Sequence, residues 1–215
     1  MPAVEIFDIM PNFYWKTIEP KFYKLYDSLR GLVGPGTCQF LNDCTRLIEK
    51  DECYFEVGTF QGMSLVGASL GHDKRCYSID NFSETFNDNK EKYKEFRSPQ
   101  DIIKYNLDLF RVSNARFLYG NYLSFFANNK DIFGKKIGVY FYDGGHSFED
   151  QVDGILKVEN LLSDNAVIVI DDLKSENVSK AIKYVCDKNK KFIKIKEIDN
   201  ETGYGQGIVV LKYKR

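Results

Sequence analysis

The run Cys53-Tyr-Phe-Glu-Val-Gly-Thr-Phe-Gln-Gly-Met-Ser64 constrains this chain more than any other stretch. Tyr54 to Val57 is an apolar run of strand length, and Gly58 breaks it. The chain then turns through Thr59 and Phe60, and from Gln61 to Leu70 the apolar residues recur at helical spacing. Strand, glycine turn and helix form the opening unit of an open parallel α/β sheet, whose ligands bind beyond the carboxyl ends of the strands. Gly58 is expected to take backbone angles closed to a side chain, and Gly62 to let the helix approach the turn or a ligand closely. Glu56, a carboxylate inside an apolar run, demands an explanation.

The same alternation continues downstream. Arg75–Asp80, Ala115–Tyr119, Lys136–Asp143 and Ala166–Ile170 read as strands, separated by amphipathic helices. Ser98-Pro99 supplies a cap and a first helical position ahead of Ile102, Ile103, Tyr105, Asn106, Leu109 and Phe110. Gly120-Asn121 turns the third strand into a helix holding Leu123, Phe126 and Ile132. Ser147, with Asp150 three residues on, opens another in capping-box fashion, with Val152, Ile155, Leu156, Glu159 and Leu162 on its inner side. Val178, Ala181, Ile182, Val185 and Cys186 mark the next. Phe192–Ile198 and Ile208–Tyr213 form a closing hairpin over a glycine-rich turn, Gly203–Gly207, and one of these strands is expected to be antiparallel at or near a sheet edge. The fold class is therefore α/β, a mostly parallel sheet wrapped by helices on both faces.

Two helices precede the first strand. Pro20 begins one with Phe22, Leu25, Tyr26, Leu29 and Val33 on its apolar face, and Gly34-Pro35-Gly36 ends it. Thr37 can cap a second carrying Leu41, Cys44, Leu47 and Ile48. The length of 215 residues fits one domain, with residues 1–51 as a helical cap on a core of 52–215.

Thirty basic residues against 31 acidic, with no basic stripe, exclude an extended nucleic-acid footprint. No apolar run is long enough to span a bilayer, and Met1–Trp15 lacks the apolar core of a secretory signal, so a cytoplasmic protein with no membrane partner is expected. The five cysteines are odd in number and lack C-x-x-C spacing, which favours buried reduced thiols over a disulfide frame or a zinc site.

The chemistry gathers at strand ends. Asp80 closes the second strand, where a carboxylate can accept from both hydroxyls of a ribose, or simply sit in an exposed turn. The turn lacks the middle glycine of a dinucleotide fingerprint and places Phe60 where a phosphate would lie, so a nucleoside ligand without phosphate suits it better than NAD. Asp143 ends the fourth strand, and Asp171 and Asp172 end the fifth. On neighbouring strands about 5 Å apart, their carboxylates can converge, and they repel one another unless a cation neutralises them. Oxygen ligands favour a hard divalent ion, Mg²⁺ before zinc. Against this stand two plainer readings, Asp143 capping its loop and the Asp pair capping the next helix. Both members of the pair can ligate only if the strand bends there. His146, three residues past Asp143, has an ordinary pKa suited to proton removal. His72 stands at a helix end, where it can favour the helix dipole.

Phe55-Glu-Val-Gly-Thr-Phe-Gln-Gly-Met-Ser64, Asp80, Tyr142-Asp-Gly-Gly-His-Ser-Phe-Glu149 and Val169-Ile-Asp-Asp172 together resemble class I S-adenosylmethionine-dependent methyltransferases, most closely the metal-dependent sugar and macrolide O-methyltransferases and more distantly catechol O-methyltransferase. The likeness runs from Tyr54 to Leu173. It implies a seven-stranded Rossmann-like sheet with the last strand antiparallel. It implies that Glu56, Gly58, Thr59, Gly62 and Ser64 surround the methionine part of S-adenosylmethionine, that Asp80 holds its ribose, and that Asn121 lies near its adenine. Asp143, Asp171 and Asp172 match the metal ligands, and His146 stands where the catechol enzymes have a lysine as proton acceptor. The expected partner is a small-molecule hydroxyl acceptor, and a homodimer is compatible with the reading. A metal-independent methyltransferase, a non-catalytic nucleoside-binding protein and a nicotinamide dehydrogenase are the alternatives. Phe13-Tyr14-Trp15 and Asn81–Arg97 either line the acceptor pocket or serve as core and solvated surface.

Overall fold

A computed structural model of the protein describes residues 17–83, 98–199 and 206–215. Phe13-Tyr14-Trp15, most of the Asn81–Arg97 excursion and most of the Gly203–Gly207 turn lie outside the described residues.

Among the described residues seven strands form one sheet: β1 (Glu52–Val57), β2 (Cys76–Asp80), β3 (Ala115–Tyr119), β4 (Lys136–Tyr142), β5 (Leu162–Ile170), β6 (Phe192–Ile198) and β7 (Ile208–Tyr213). Their spatial order is β3-β2-β1-β4-β5-β7-β6. Strands β1 to β5 run parallel, and β7 lies antiparallel between β5 and β6, which makes β6 the edge. The chain steps outward from β1 through β2 to β3, then crosses back to β4 on the other side of β1. That reversal is the topological switch point, where open sheets of this kind form a ligand crevice.

The helices are α1 (Pro20–Ser28), α2 (Pro35–Arg46), α3 (Met63–Ser69), α4 (Pro99–Leu109), α5 (Tyr122–Asn128), α6 (Phe148–Leu156) and α7 (Glu176–Lys188). Alternation along the strands divides the core in two. Tyr54, Val139, Phe141, Val167 and Val169 face α1, α2 and α3, whereas Phe55, Tyr140, Tyr142, Ile168 and Ile170 face α5, α6 and α7. Both faces of the central strands are thus dry, which is why they read as unbroken apolar runs. Most of α2 is buried, including Cys38, Phe40, Leu41 and Cys44, so it belongs to the first core. All five cysteines are free thiols and four are buried. Among the described residues no helix is long and apolar enough to cross a membrane.

Several element ends differ from the sequence expectation. Helix α1 stops at Ser28; Leu29 and Val33 are buried from the loop beyond it, and Tyr26 faces solvent. Gly34 is the N-cap of α2 and Pro35 its first residue, so Thr37 lies inside the helix rather than capping it. Proline at that position sacrifices no helical hydrogen bond. Helix α6 stops at Leu156; Glu159 enters a single 3₁₀ turn and Leu162 already belongs to β5. The caps at Ser98 and Ser147 form as expected, each hydroxyl accepting from the third following N–H (Asp101, 3.2 Å; Asp150, 3.0 Å). Past α3, a His72 ring nitrogen meets the Ala68 carbonyl at 2.7 Å.

Gln61 and Gly62 remain in the turn after β1, and α3 starts at Met63. Both turn glycines have positive φ, +87° at Gly58 and +82° at Gly62. They differ in surroundings. A Cβ on Gly58 would lie 1.8 Å from the Asp143 carbonyl oxygen, whereas one on Gly62 would meet only Ile103 Cγ2, at 3.4 Å. Within the protein the close backbone approach is at Gly58, and Gly62 meets only the Ile103 side chain. Gly62→Ala should lose about 1–2 kcal/mol, the cost of a left-handed L-residue. Gly58→Ala should lose clearly more, because the Asp143 carbonyl must also move. Urea unfolding of both variants measures the difference; equal losses would show that the approach of the two loops carries no weight.

Candidate active site

The carboxyl ends of the parallel strands open into a cleft of about 660 Å³, a volume suited to a ligand of nucleoside size or larger. Gly58, Thr59 and Ser64 line it from the first βα unit, Asp80 from β2, Asn121 from the start of α5, Asp143 and His146 from the end of β4, and Asp171 and Asp172 from the end of β5. Most of the predicted site residues thus share one cavity. Glu56 and Gly62 do not line it. Glu56 is fully buried: the Tyr54 hydroxyl donates to its Oε2 at 2.5 Å, Ser64 faces it, and Oε1 has no partner. Asn121 lines the cleft while capping α5, its side-chain oxygen accepting from Ser124 N–H at 3.0 Å.

Asp80 is engaged with its own chain. One oxygen accepts from the Thr59 and Phe60 N–H groups, at 2.8 and 3.0 Å, and the other from Phe82 N–H at 2.8 Å. A carboxylate offers about four lone-pair positions, so roughly one remains for a ligand hydroxyl rather than the two that a ribose would present. Phe60 and Phe82 also line the cleft with positive φ, +47° and +51°. Non-glycine residues in that region cost about 1–3 kcal/mol each and cluster at functional sites.

The acids converge. Ligand atoms of Asp143, His146 and Asp172 all lie within 4.8 Å of one another. His146 Nε2 meets Asp172 Oδ2 at 2.6 Å, which orients the ring. Asp171 stands outside that trio but beside it, only 7% exposed. Both members of the Asp pair reach the cleft because the backbone bends at Asp172, where φ is +59°. Among the described residues that line the cleft there is no lysine or arginine. Burial pushes the Glu56 carboxyl up to about 8. Asp143 is pushed up by burial and then by Asp171 and Asp172, and Asp171 by burial and then by Asp172. The residues fit a cationic guest: an oxygen-rich donor set lines the cleft, and its carboxyls repel one another in a way that a positive charge would relieve.

Gly31, Leu32 and Val33, in the loop between α1 and α2, also line the cleft, as do Phe82, Tyr122 and Asp150. Of these, sequence reasoning offered only Phe82 for the site, as part of the Asn81–Arg97 excursion, whose described residues Asn81, Phe82 and Ser83 do line the cleft. Gly31 was the available signal: it interrupts the apolar pattern of α1 before Val33, and a Cβ there would collide with Met63.

These carboxyls give stability a definite pH dependence. Their pKa values are raised in the folded state, so the fold retains protons that the unfolded chain releases above about pH 4. Stability of the ligand-free protein should therefore fall as pH rises from about 4 to about 8. Its melting temperature should be higher near pH 5.5 than near pH 8, and the reverse order would show that the carboxyls are not held in this way.

The sequence model of a family described as a methyltransferase domain matches residues 55–173. No curated protein matches the chain in sequence. Solved structures match it in fold. An O-methyltransferase from Bacillus cereus bound to SAH has 13% identity and a TM-score of 0.64, over 99% of this chain and 96% of that one. The O-methyltransferase TomG of tomaymycin synthesis from Streptomyces achromogenes, bound to SAM, has 16% identity and a TM-score of 0.64, over 96% and 100%. A putative O-methyltransferase from Klebsiella pneumoniae has 13% identity and a TM-score of 0.66, over 100% and 96%. At such identities the likeness is one of fold. The family match is more specific, because it spans the Gly58 turn and all the strand-end acids, and the chain accordingly belongs to the methyltransferase-domain family, as an enzyme with the class I methyltransferase fold.

Proposed function

We propose that the protein moves a methyl group from S-adenosylmethionine to a hydroxyl of a small molecule, of the sugar or natural-product kind, with help from a divalent cation. The observation that carries this reading is the cleft's charge. The glycine turn and the carboxylates Asp143, Asp171 and Asp172 border one cavity, and among the described lining residues no lysine or arginine answers them, only the imidazole of His146 beside Asp172. Neighbours of the same fold that are O-methyltransferases, two of them bound to SAM or SAH, support the donor and the reaction class. Family membership displaces the nicotinamide alternative.

When bound, S-adenosylmethionine supplies an electrophilic sulfonium methyl group, and a divalent cation supplies charge that acidifies a coordinated hydroxyl. The chain's own part is mainly positioning. Gly58, Thr59 and Ser64 shape the donor side, with Glu56 and Gly62 behind them and Asp80 and Asn121 toward the nucleoside. Asp143 and Asp172, whose ligand atoms converge, would hold the cation, with Asp171 beside them. His146 accepts the hydroxyl proton as the oxygen takes the methyl, and Asp172 steadies the imidazolium that results. The His146–Asp172 contact at 2.6 Å also favours a second reading, in which the pair deprotonates the acceptor without a metal.

Asp143→Ala should abolish cation-dependent turnover and leave donor affinity, read by titration calorimetry, close to wild type. Loss of both together would undo the division of roles. Across an acceptor panel, EDTA should stop turnover, and Mg²⁺ or Mn²⁺ should restore it. Turnover that survives EDTA but drops about a hundredfold in His146→Ala would select the metal-free reading.

A further inference from the structure

Helix α3, which carries the donor turn into the first core, has only seven residues. A helix so short does not hold itself together in isolation. Its ends are held instead by asparagine amides from other elements. At the exit, Asn42 Nδ2 donates to the carbonyls of Gly67 and Leu70, both at 2.9 Å, and Asn114 Nδ2 to that of Ser69 at 3.2 Å and to those of His72 and Lys74 in the loop beyond, both at 2.9 Å. At the entry stands Asn106, on the buried side of α4, whose Nδ2 donates to the Gln61 carbonyl at 2.8 Å.

We infer that Asn106 is a positioning residue for the methyl-donor turn, holding the Thr59–Gly62 backbone in its binding shape from the side opposite the cleft. Beside the turn's own bond from the Gly62 N–H to the Thr59 carbonyl at 2.7 Å, side chains from other elements brace it. Asp80 takes the Thr59 and Phe60 N–H groups from the cleft side, and Asn106 takes the Gln61 carbonyl from behind, across 45 residues of chain. Between them lies a backbone with positive φ at Phe60 and Gly62, a shape that needs outside support. Asn106 is fully buried, so water cannot replace the lost bond if the amide is removed. Its Oδ1 meanwhile has no partner. A buried amide with an orphaned oxygen is a costly way to fill space that leucine would fill as well, and the bond to Gln61 is the one service that its geometry shows.

This inference rests on the donor reading above, because its measurement is donor-site binding. The probe is SAH, titrated into wild type, Asn106→Leu, Asn106→Ser and Asn114→Ala, with melting temperatures recorded in parallel. Leucine keeps the volume of residue 106 without a donor; serine keeps a hydroxyl too short to reach Gln61 and provides a folded variant if leucine does not pack. Asn114→Ala removes comparable bonds at the far end of α3. Both Asn106 variants should bind SAH about tenfold more weakly and exchange the Gly62 amide hydrogen faster, whereas Asn114→Ala should hold wild-type affinity despite a similar drop in melting temperature. Wild-type affinity in the Asn106 variants would overturn the inference, as would affinity losses that follow melting temperature across all three. Failure of wild type itself to bind SAH would instead overturn the donor reading, and this inference with it.

Discussion

Where β1 ends, its chain lies against the first residue past β4 at a separation that no side chain could occupy. The Asp143 N–H donates to the Val57 carbonyl at 2.9 Å, and the Asp143 carbonyl fills the place of a Cβ on Gly58. This contact joins the two halves of the site. On one side stands the turn that leads into α3; on the other stands the loop that carries Asp143 and His146. Because β1 and β4 are adjacent in a parallel register that pairs Val57 with Tyr142, neither half can shift along its strand without breaking ladder bonds. The distance between the glycine turn and the strand-end acids is thereby set by the sheet and not by loops.

The same arrangement concentrates negative charge. Glu56, Asp143 and Asp171 all have raised pKa values because they are enclosed and close to other acids. An empty cleft of this kind works against the fold, and anything positive that enters it works in favour. Folding and binding are then linked by mass action, since a ligand that meets only the folded state stabilises it.

Much of this was legible in the sequence. Alternating runs gave the strands because the central ones are buried on both faces, and Ser98 and Ser147 marked helix starts because capping is local chemistry. The strand-end acids were legible because a parallel sheet puts all its carboxyl ends together. Features that depend on distant partners were hidden. Near Tyr26 only Gly31 hints that the helix stops short, and Leu29 and Val33, buried in the loop, carry the apolar pattern past its end at Ser28. The pairing of His146 with Asp172 spans 26 positions of chain, and the backbone bonds of Asp80 depend on a turn that lies on another strand. Asn106 looked like one polar residue on an apolar helix face, because its partner is a carbonyl, and carbonyls leave no mark in a sequence.

The engagement of Asp80 has a consequence for how a guest is received. With both carboxylate oxygens already tied to Thr59, Phe60 and Phe82, this rim of the cavity is rigid before anything arrives, so the entropy of ordering it is spent during folding and not on encounter. A nucleoside would meet a surface with a single vacant acceptor position, and its sugar would be read by shape against a finished wall more than by a chelating pair of hydrogen bonds.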